Sequence, residues 1–284
     1  MAYEAKSLLW DVDGERKFEA GVSHGVLYSP IYDENGVIKK VEAGYGKGTD
    51  DLYQGVAWNG LTGVTEKPTG AEATKLWANN GLYATIRSAE GLQATIEAYT
   101  YPDEWKQHNG QHNPKKEEST KAAYLATVGQ QARKSFRLSY ITQVGDDQNV
   151  TMPDEKLHLV YNATASPAER AYKTINDSPE AITFSWEMEC SDTKCSIVDM
   201  APNGKLCDIS IDLFNLKKDH MDIYKALMKV LHGSDTEGSV TGTIAYLPSP
   251  ETIYAILKGE PAPTNTSEAS TQNDVSKKPF SKKN

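Results

Sequence analysis

Four groups of residues have types and spacing that could support chemistry. Asp11-Val12-Asp13-Gly14 pairs two carboxylates after an apolar stretch, as a phosphoryl-transfer nucleophile motif does. The stretch before it, SLLW, is short, and Glu15 and Arg16 follow where Thr or Val would be needed, so a polar turn fits better. The same four residues could open a calcium loop, but Val22 stands where its glutamate should be. Gly44-Tyr45-Gly46-Lys47-Gly48-Thr49 imitates a phosphate loop. Gly48 replaces the Ser or Thr after the lysine, and Val41 replaces the leading glycine.

His108 and His112 have the four-residue spacing of a metal pair on a helix, but Asn109, Gly110, Asn113 and Pro114 argue against a helix there. Cys190, Cys195 and Cys207 lack zinc-ribbon spacing and a nearby fourth ligand, so they read as packed thiols. His158 lies on the polar side of a strand pattern and His220 near a helix start, and neither has a nucleophile motif to serve. The five tryptophans are scattered, and Trp186 belongs to an apolar strand face. The expectation is no enzyme, no cofactor and no metal.

Period-two alternation dominates the elements that would position these groups. It marks Leu82–Ile86, Leu92–Ala98, Phe136–Tyr140, Leu157–Tyr161, Ile182–Met188 and Ile209–Leu213, with Gly21–Tyr28 and Tyr53–Trp58 as two further strands. One buried and one polar face per strand is the pattern of antiparallel sheets. Leu216–Leu231 has helical spacing with Gly233 as its C-cap, and Pro250–Leu257 reads as a second short helix. Tyr32–Asp51 and Pro102–Tyr124 read as long loops. The fold class is mainly β: an antiparallel sandwich or barrel with one principal flanking helix.

The chain has 284 residues, a net charge of −9 and three cysteines. Acidity argues against a broad nucleic-acid-binding face, and an odd cysteine count against a disulfide scaffold. No N-terminal leader pattern and no long apolar run is evident, so no membrane partner is expected. Residues 261–284 are poor in apolar side chains and predict a disordered tail after a domain spanning 1–260. Lys277, Lys278, Lys282 and Lys283 outnumber Glu268 and Asp274 by two, so the body carries −11.

Several words resemble the major tail protein family of long-tailed bacteriophages of Gram-positive hosts. They are the stretch from Gly55 to Asp103, above all IEAYTYPDE from Ile96 to Glu104; GQQARKSF from Gly129 to Phe136; KLHLVY from Lys156 to Tyr161; NDSPEAITFSWE from Asn176 to Glu187; and Leu247-Pro248-Ser249-Pro250 after a late helix. They run in order over roughly residues 20–258.

The resemblance implies a structural virion protein of the tail-tube type, located in the tail and assembled in the host cytoplasm. Its partners would be itself, as hexameric rings stacked into a tube, and the tape-measure, tail-completion and distal tail proteins. Duplex DNA would pass through as cargo. At ~4.8 Å spacing and ~45° tilt, four strands from each of six subunits close a barrel about 50 Å across, leaving a bore of roughly 40 Å.

Acidic lumen walls would let DNA slide, and Glu97, Glu187, Asp208 and Asp212 are the candidate lumen-facing carboxylates. The two long loops are the candidates for ring stacking. The alternative is a free β-sandwich module recognising host surface carbohydrate or protein. A hydrolase using Asp11 and Asp13 is a further rival.

Overall fold

A computed structural model describes residues 13, 16–30, 53–70, 73–87, 90–112, 125–148, 154–167, 172, 174, 181–235 and 243–261. In chain order the strands are β1 (Phe18–Pro30), β2 (Tyr53–Ala57), β3 (Leu61–Gly70), β4 (Ala73–Ala78), β5 (Gly81–Arg87), β6 (Glu90–Ala98), β7 (Phe136–Gly145), β8 (Asp154–Pro167), β9 (Phe184–Cys190), β10 (Thr193–Lys194), β11 (Lys205–Leu206) and β12 (Asp208–Asp212). The α-helices are α1 (Leu213–Asp219), α2 (Met221–His232) and α3 (Pro250–Leu257), and a 3-10 helix covers Asp103–Gln107. The loop Tyr32–Asp51, Asp11 and the tail from 262 lie outside the described residues. No helix among those residues is long and apolar enough to cross a membrane.

All strand pairs are antiparallel. The main sheet has the order β2-β1-β7-β8-β9-β6-β3, with β12 also on β8. It curls until the start of β3 reaches β1, with the Leu61 side chain over Gly25, while just after β2 the Trp58 N–H donates to the Gly25 carbonyl at 2.7 Å. The closure needs glycine, because a Cβ at residue 25 would lie 2.8 Å from Leu61 Cδ2.

The curled sheet encloses an inner core. It holds Leu27, Ile96, Trp105, Phe136, Leu138, Val160 and Trp186, all fully buried. The other face of β1, β7 and β8 supports a second core under the helices, with Tyr28, Leu157, Leu159, Tyr161, Leu213, Leu227 and Ile253. Alternation along β1 sends Leu27 to one core and Tyr28 to the other. The Tyr28 hydroxyl donates to the Leu231 carbonyl at 2.9 Å and bonds Ser139 Oγ at 3.1 Å, tying α2 to the sheet.

Three expectations are corrected. The single principal helix is two helices, broken at His220 (φ −143°, ψ 58°), and α1 begins at Leu213 because the Asp212 carboxylate accepts from the Phe214 and Asn215 N–H groups. Leu82–Ile86 has the right period, but no face is buried: Leu82, Tyr83 and Ile86 are 51%, 75% and 56% exposed. The described part of the loop Pro102–Tyr124 is packed, with Trp105 and His108 at 0% exposure. A lone tryptophan among polar residues carries no periodicity.

Gly233 ends α2 at φ 75°, ψ −177°, a region only glycine occupies at low cost. A Cβ there would lie 2.6 Å from the Thr243 carbonyl oxygen. Gly233→Ala is expected to lose about 2 kcal/mol or more of stability. Urea unfolding measures it, and an unchanged midpoint would contradict this assignment.

Candidate functional site

The strongest candidate is a sheet face. On β6, Leu92, Ala94, Ile96 and Ala98 are buried in the inner core, so Gln93, Thr95 and Glu97 project from the opposite side. On β9, Trp186, Met188 and Cys190 are buried while Glu187 and Glu189 are exposed. Register aligns Lys67, Gln93, Glu189 and Thr164 in one row across β3, β6, β9 and β8. Thr65, Thr95, Glu187 and Ser166 form the next, and Gly63, Glu97 and Ser185 the third.

The face is polar, with three carboxylates against the Lys67 ammonium. It holds a shallow hollow of about 250 Å³ lined by Lys67, Gln93, Thr95, Thr164, Ser166, Glu187 and Glu189. Such a surface holds water well and offers phosphate groups little to bind.

Of the four predicted carboxylates, the structure brings Glu97 and Glu187 onto this one face and adds Glu189. Alternation marks Glu189 as clearly as Glu187, since it lies two residues further along the same strand. Asp208 and Asp212 lie elsewhere, on β12. Asp212 is the N-cap of α1, its Oδ1 3.0 Å from the Phe214 nitrogen and its Oδ2 2.7 Å from Asn215 Nδ2. Asp208 pairs in register with Val160, whose side chain is in the inner core. Burial, and then the nearby Glu66 carboxylate, raise its pKa, while His158 pulls it down.

A second polar group fills the mouth of the inner core. His158 is 8% exposed and stacks on Tyr140 at 4.7 Å with 6° between the rings. Its Nε2 is 2.9 Å from Thr142 Oγ1 and 3.2 Å from Glu19 Oε1, and its Nδ1 is 3.3 Å from Ser210 Oγ. Lys156 Nζ takes the other Glu19 oxygen at 3.1 Å. The Tyr140 hydroxyl donates to Glu66, and burial followed by that carboxylate raises its pKa.

Ser210, His158 and Glu19 thus stand in the order of nucleophile, base and orienting acid. The surroundings oppose nucleophilic chemistry. Asp208 and Asp212 flank Ser210, where a developing oxyanion would need positive potential. The nearest helix N-terminus, that of α1, is already filled by Asp212. The network therefore reads as a polar plug that ties β1, β7, β8 and β12 together.

The remaining sequence candidates have structural partners. Asp13 Oδ1 accepts from Arg16 at 3.0 Å on the surface, as a turn residue would. His108 bonds Ser29 through Nε2, and its Nδ1 donates to the Lys134 carbonyl at 2.9 Å. Burial lowers its pKa to about 4, against the opposing pull of that carbonyl. His112 is exposed on the surface, apart from that site. Among the described residues no group of three or more His, Cys, Asp or Glu could hold a metal. Cys190 and Cys195 are buried and Cys207 is half-buried, all as free thiols. Burial, the largest of several causes, pushes Cys190 up to about 12, which makes it unreactive.

Sequence reading missed the β4–β5 hairpin as a feature. Leu76, Trp77, Leu82, Tyr83 and Ile86 are all exposed on it, with Lys75 and Arg87 and no acidic residue. The period-two signal was present, but a sequence pattern does not show that none of the described residues covers these side chains. The chain matches no protein-family model and no curated protein.

Glu19 supplies a pH test of the polar plug. Its pKa is lowered from 4.5, chiefly by the Thr142 hydroxyl, with Lys156 and His158 adding to the effect and burial opposing it. A lowered folded-state pKa adds stability above the unfolded value that is lost as pH falls through the folded one. Glu19→Gln is therefore expected to lower stability at pH 7 by about 1 kcal/mol or less, since the group is partly exposed. The gap should shrink below pH 4.5. Melting curves across pH check this, and a gap that widens in acid would contradict it.

Proposed function

We propose that this protein is a tail-tube subunit of a long-tailed bacteriophage, a structural protein without enzymatic activity that builds stacked hexameric rings around passing duplex DNA. The observation that carries the reading is the four-stranded face of β3, β6, β9 and β8. It is the strand number that the family resemblance calls for, it is polar throughout, and its acids include the expected Glu97 and Glu187. An acidic, hydroxyl-rich wall repels phosphate weakly and keeps water between itself and DNA. Such a wall suits a conduit and not a receptor. In this reading Asp208 and Asp212 serve the fold, and lumen charge comes from Glu97, Glu187 and Glu189. Tape-measure, tail-completion and distal tail proteins would be the partners at the tube's interior and ends, and the location would be the virion tail.

Purified protein is expected to form hollow tubes of uniform width in negative-stain micrographs. A stable monomer at all accessible concentrations would refute the reading. Replacing Glu187 and Glu189 with lysine should leave assembly intact but make tubes retain duplex DNA at low salt and release it as salt rises. Tubes that ignore this change would remove the lumen assignment.

A further inference from the structure

The β10–β11 hairpin has a cysteine at each end. The chain leaves β9 after Cys190 and enters β12 through Cys207. Between them the hairpin lies against α3. The Ser196 N–H donates to Glu251 Oε1 at 2.8 Å, and the Tyr254 hydroxyl donates to Asp199 at 3.3 Å. Met200 and Leu206 pack on the core under the helices.

Register brings the two ends of the hairpin together. β9 and β12 meet end to end on one edge of β8. Cys190 lies opposite Ala163, and the Cys207 carbonyl accepts from the Tyr161 N–H at 2.9 Å. The two cysteines therefore stand two positions apart along β8, a span of about 6 Å. A disulfide joins α-carbons ~4.4–6.8 Å apart. Both side chains meet the same core, since Cys190 belongs to the inner core and Cys207 packs against it. Leu92 lies directly opposite Cys190 on β6, and its backbone is a hydrogen-bond partner of the Cys207 sulfur. The third cysteine, Cys195, is buried in the hairpin itself, its thiol 3.9 Å from the Ile197 carbonyl oxygen.

We propose that Cys190 and Cys207 form a redox-gated disulfide that closes the base of the hairpin and fastens the end of β9 to the start of β12. Both are free thiols in the structure, so the form described is the reduced one. Burial closes Cys190 to reagents in water, which leaves the neighbouring sulfur as its reaction partner. Half-buried Cys207 reacts first. As a thiolate it attacks one sulfur of a small disulfide such as oxidised glutathione and releases one glutathione thiolate. Cys190 then loses its proton, attacks the Cys207 sulfur and releases the second. The glutathione gains two electrons and both thiol protons, leaving as two reduced molecules. A reducing compartment keeps the base open, and an oxidising one shuts it. The inference goes beyond the tail-tube reading and does not depend on it.

Full-length protein, purified with reductant and then incubated with oxidised glutathione at pH 8, tests the inference. Peptide mapping without reduction should find Cys190 joined to Cys207 and Cys195 still free. The melting temperature should rise by about 5 °C or more, because the bridge restricts the unfolded chain, and should fall back when dithiothreitol is added. Cys207→Ser should lose this rise while keeping the melting temperature of the reduced wild type. Glutathione left on Cys207 without a bridge, or a bridge that uses Cys195, would overturn the pairing. A bridge that leaves the melting temperature unchanged or lower would overturn its role as a fastener, and a rise that persists in Cys207→Ser would overturn both.

Discussion

Strand β8 is the constraint on which both halves of the molecule depend. One of its edges pairs with β7 along most of its length. The other edge is shared, with β12 over Lys156–Val160 and β9 over Ala163–Pro167. A change of partner in mid-strand threatens to strand backbone groups away from water, which is costly. At the junction the Tyr161 N–H donates to the Cys207 carbonyl at 2.9 Å, and the Asn162 carbonyl accepts from the Ser191 N–H at 3.1 Å. Asn162 takes φ 47°, a conformation that asparagine tolerates better than most residues.

The junction is also a bulge. Phe136 and Leu138 of β7 face Ala163 and Val160, so β8 has one extra residue there. That residue resets the side-chain parity. Val160 and Ala163 both enter the inner core, whereas Leu157, Leu159 and Tyr161 enter the core under the helices. Without the reset, either Val160 or Ala163 would leave the inner core. The helical layer and the curled sheet are two cores built on one wall, and the wall works because β8 changes parity where it changes partner.

This explains which parts of the architecture were legible in sequence. Strands with one buried face, such as β6 and β9, declare themselves by alternation, and their polar residues locate the acidic face directly. β8 does not alternate in that way. Leu157, Leu159 and Tyr161 look like the whole buried set, which makes Val160 look surplus and His158 look solvated, yet both occupy the other core or its mouth. Asp212 fits the same polar pattern as Glu97, but its neighbours in space are helix N–H groups, a tertiary fact that alternation does not encode. The β4–β5 hairpin fails in the opposite sense: its pattern promised a buried face that the described residues do not supply.

The acidic face is arranged to tolerate its own charge. Like charges directly opposite one another on neighbouring strands destabilise a sheet. Glu187 lies opposite Thr95 and Ser166, Glu189 opposite Gln93 and Thr164, and Glu97 opposite Gly63 and Ser185. Each carboxylate therefore has neutral partners on both sides, and the nearest acids meet only on diagonals or along one strand, farther apart than a directly opposed pair. Lys67, the one cation, sits in the row of Glu189 but one strand removed, with Gln93 between them. Direct cross-strand ion pairs would neutralise the surface, and stacked acids would strain the sheet. Interleaving carboxylates with hydroxyl and amide neighbours keeps the face negative and hydrated without setting like charges directly opposite one another on neighbouring strands.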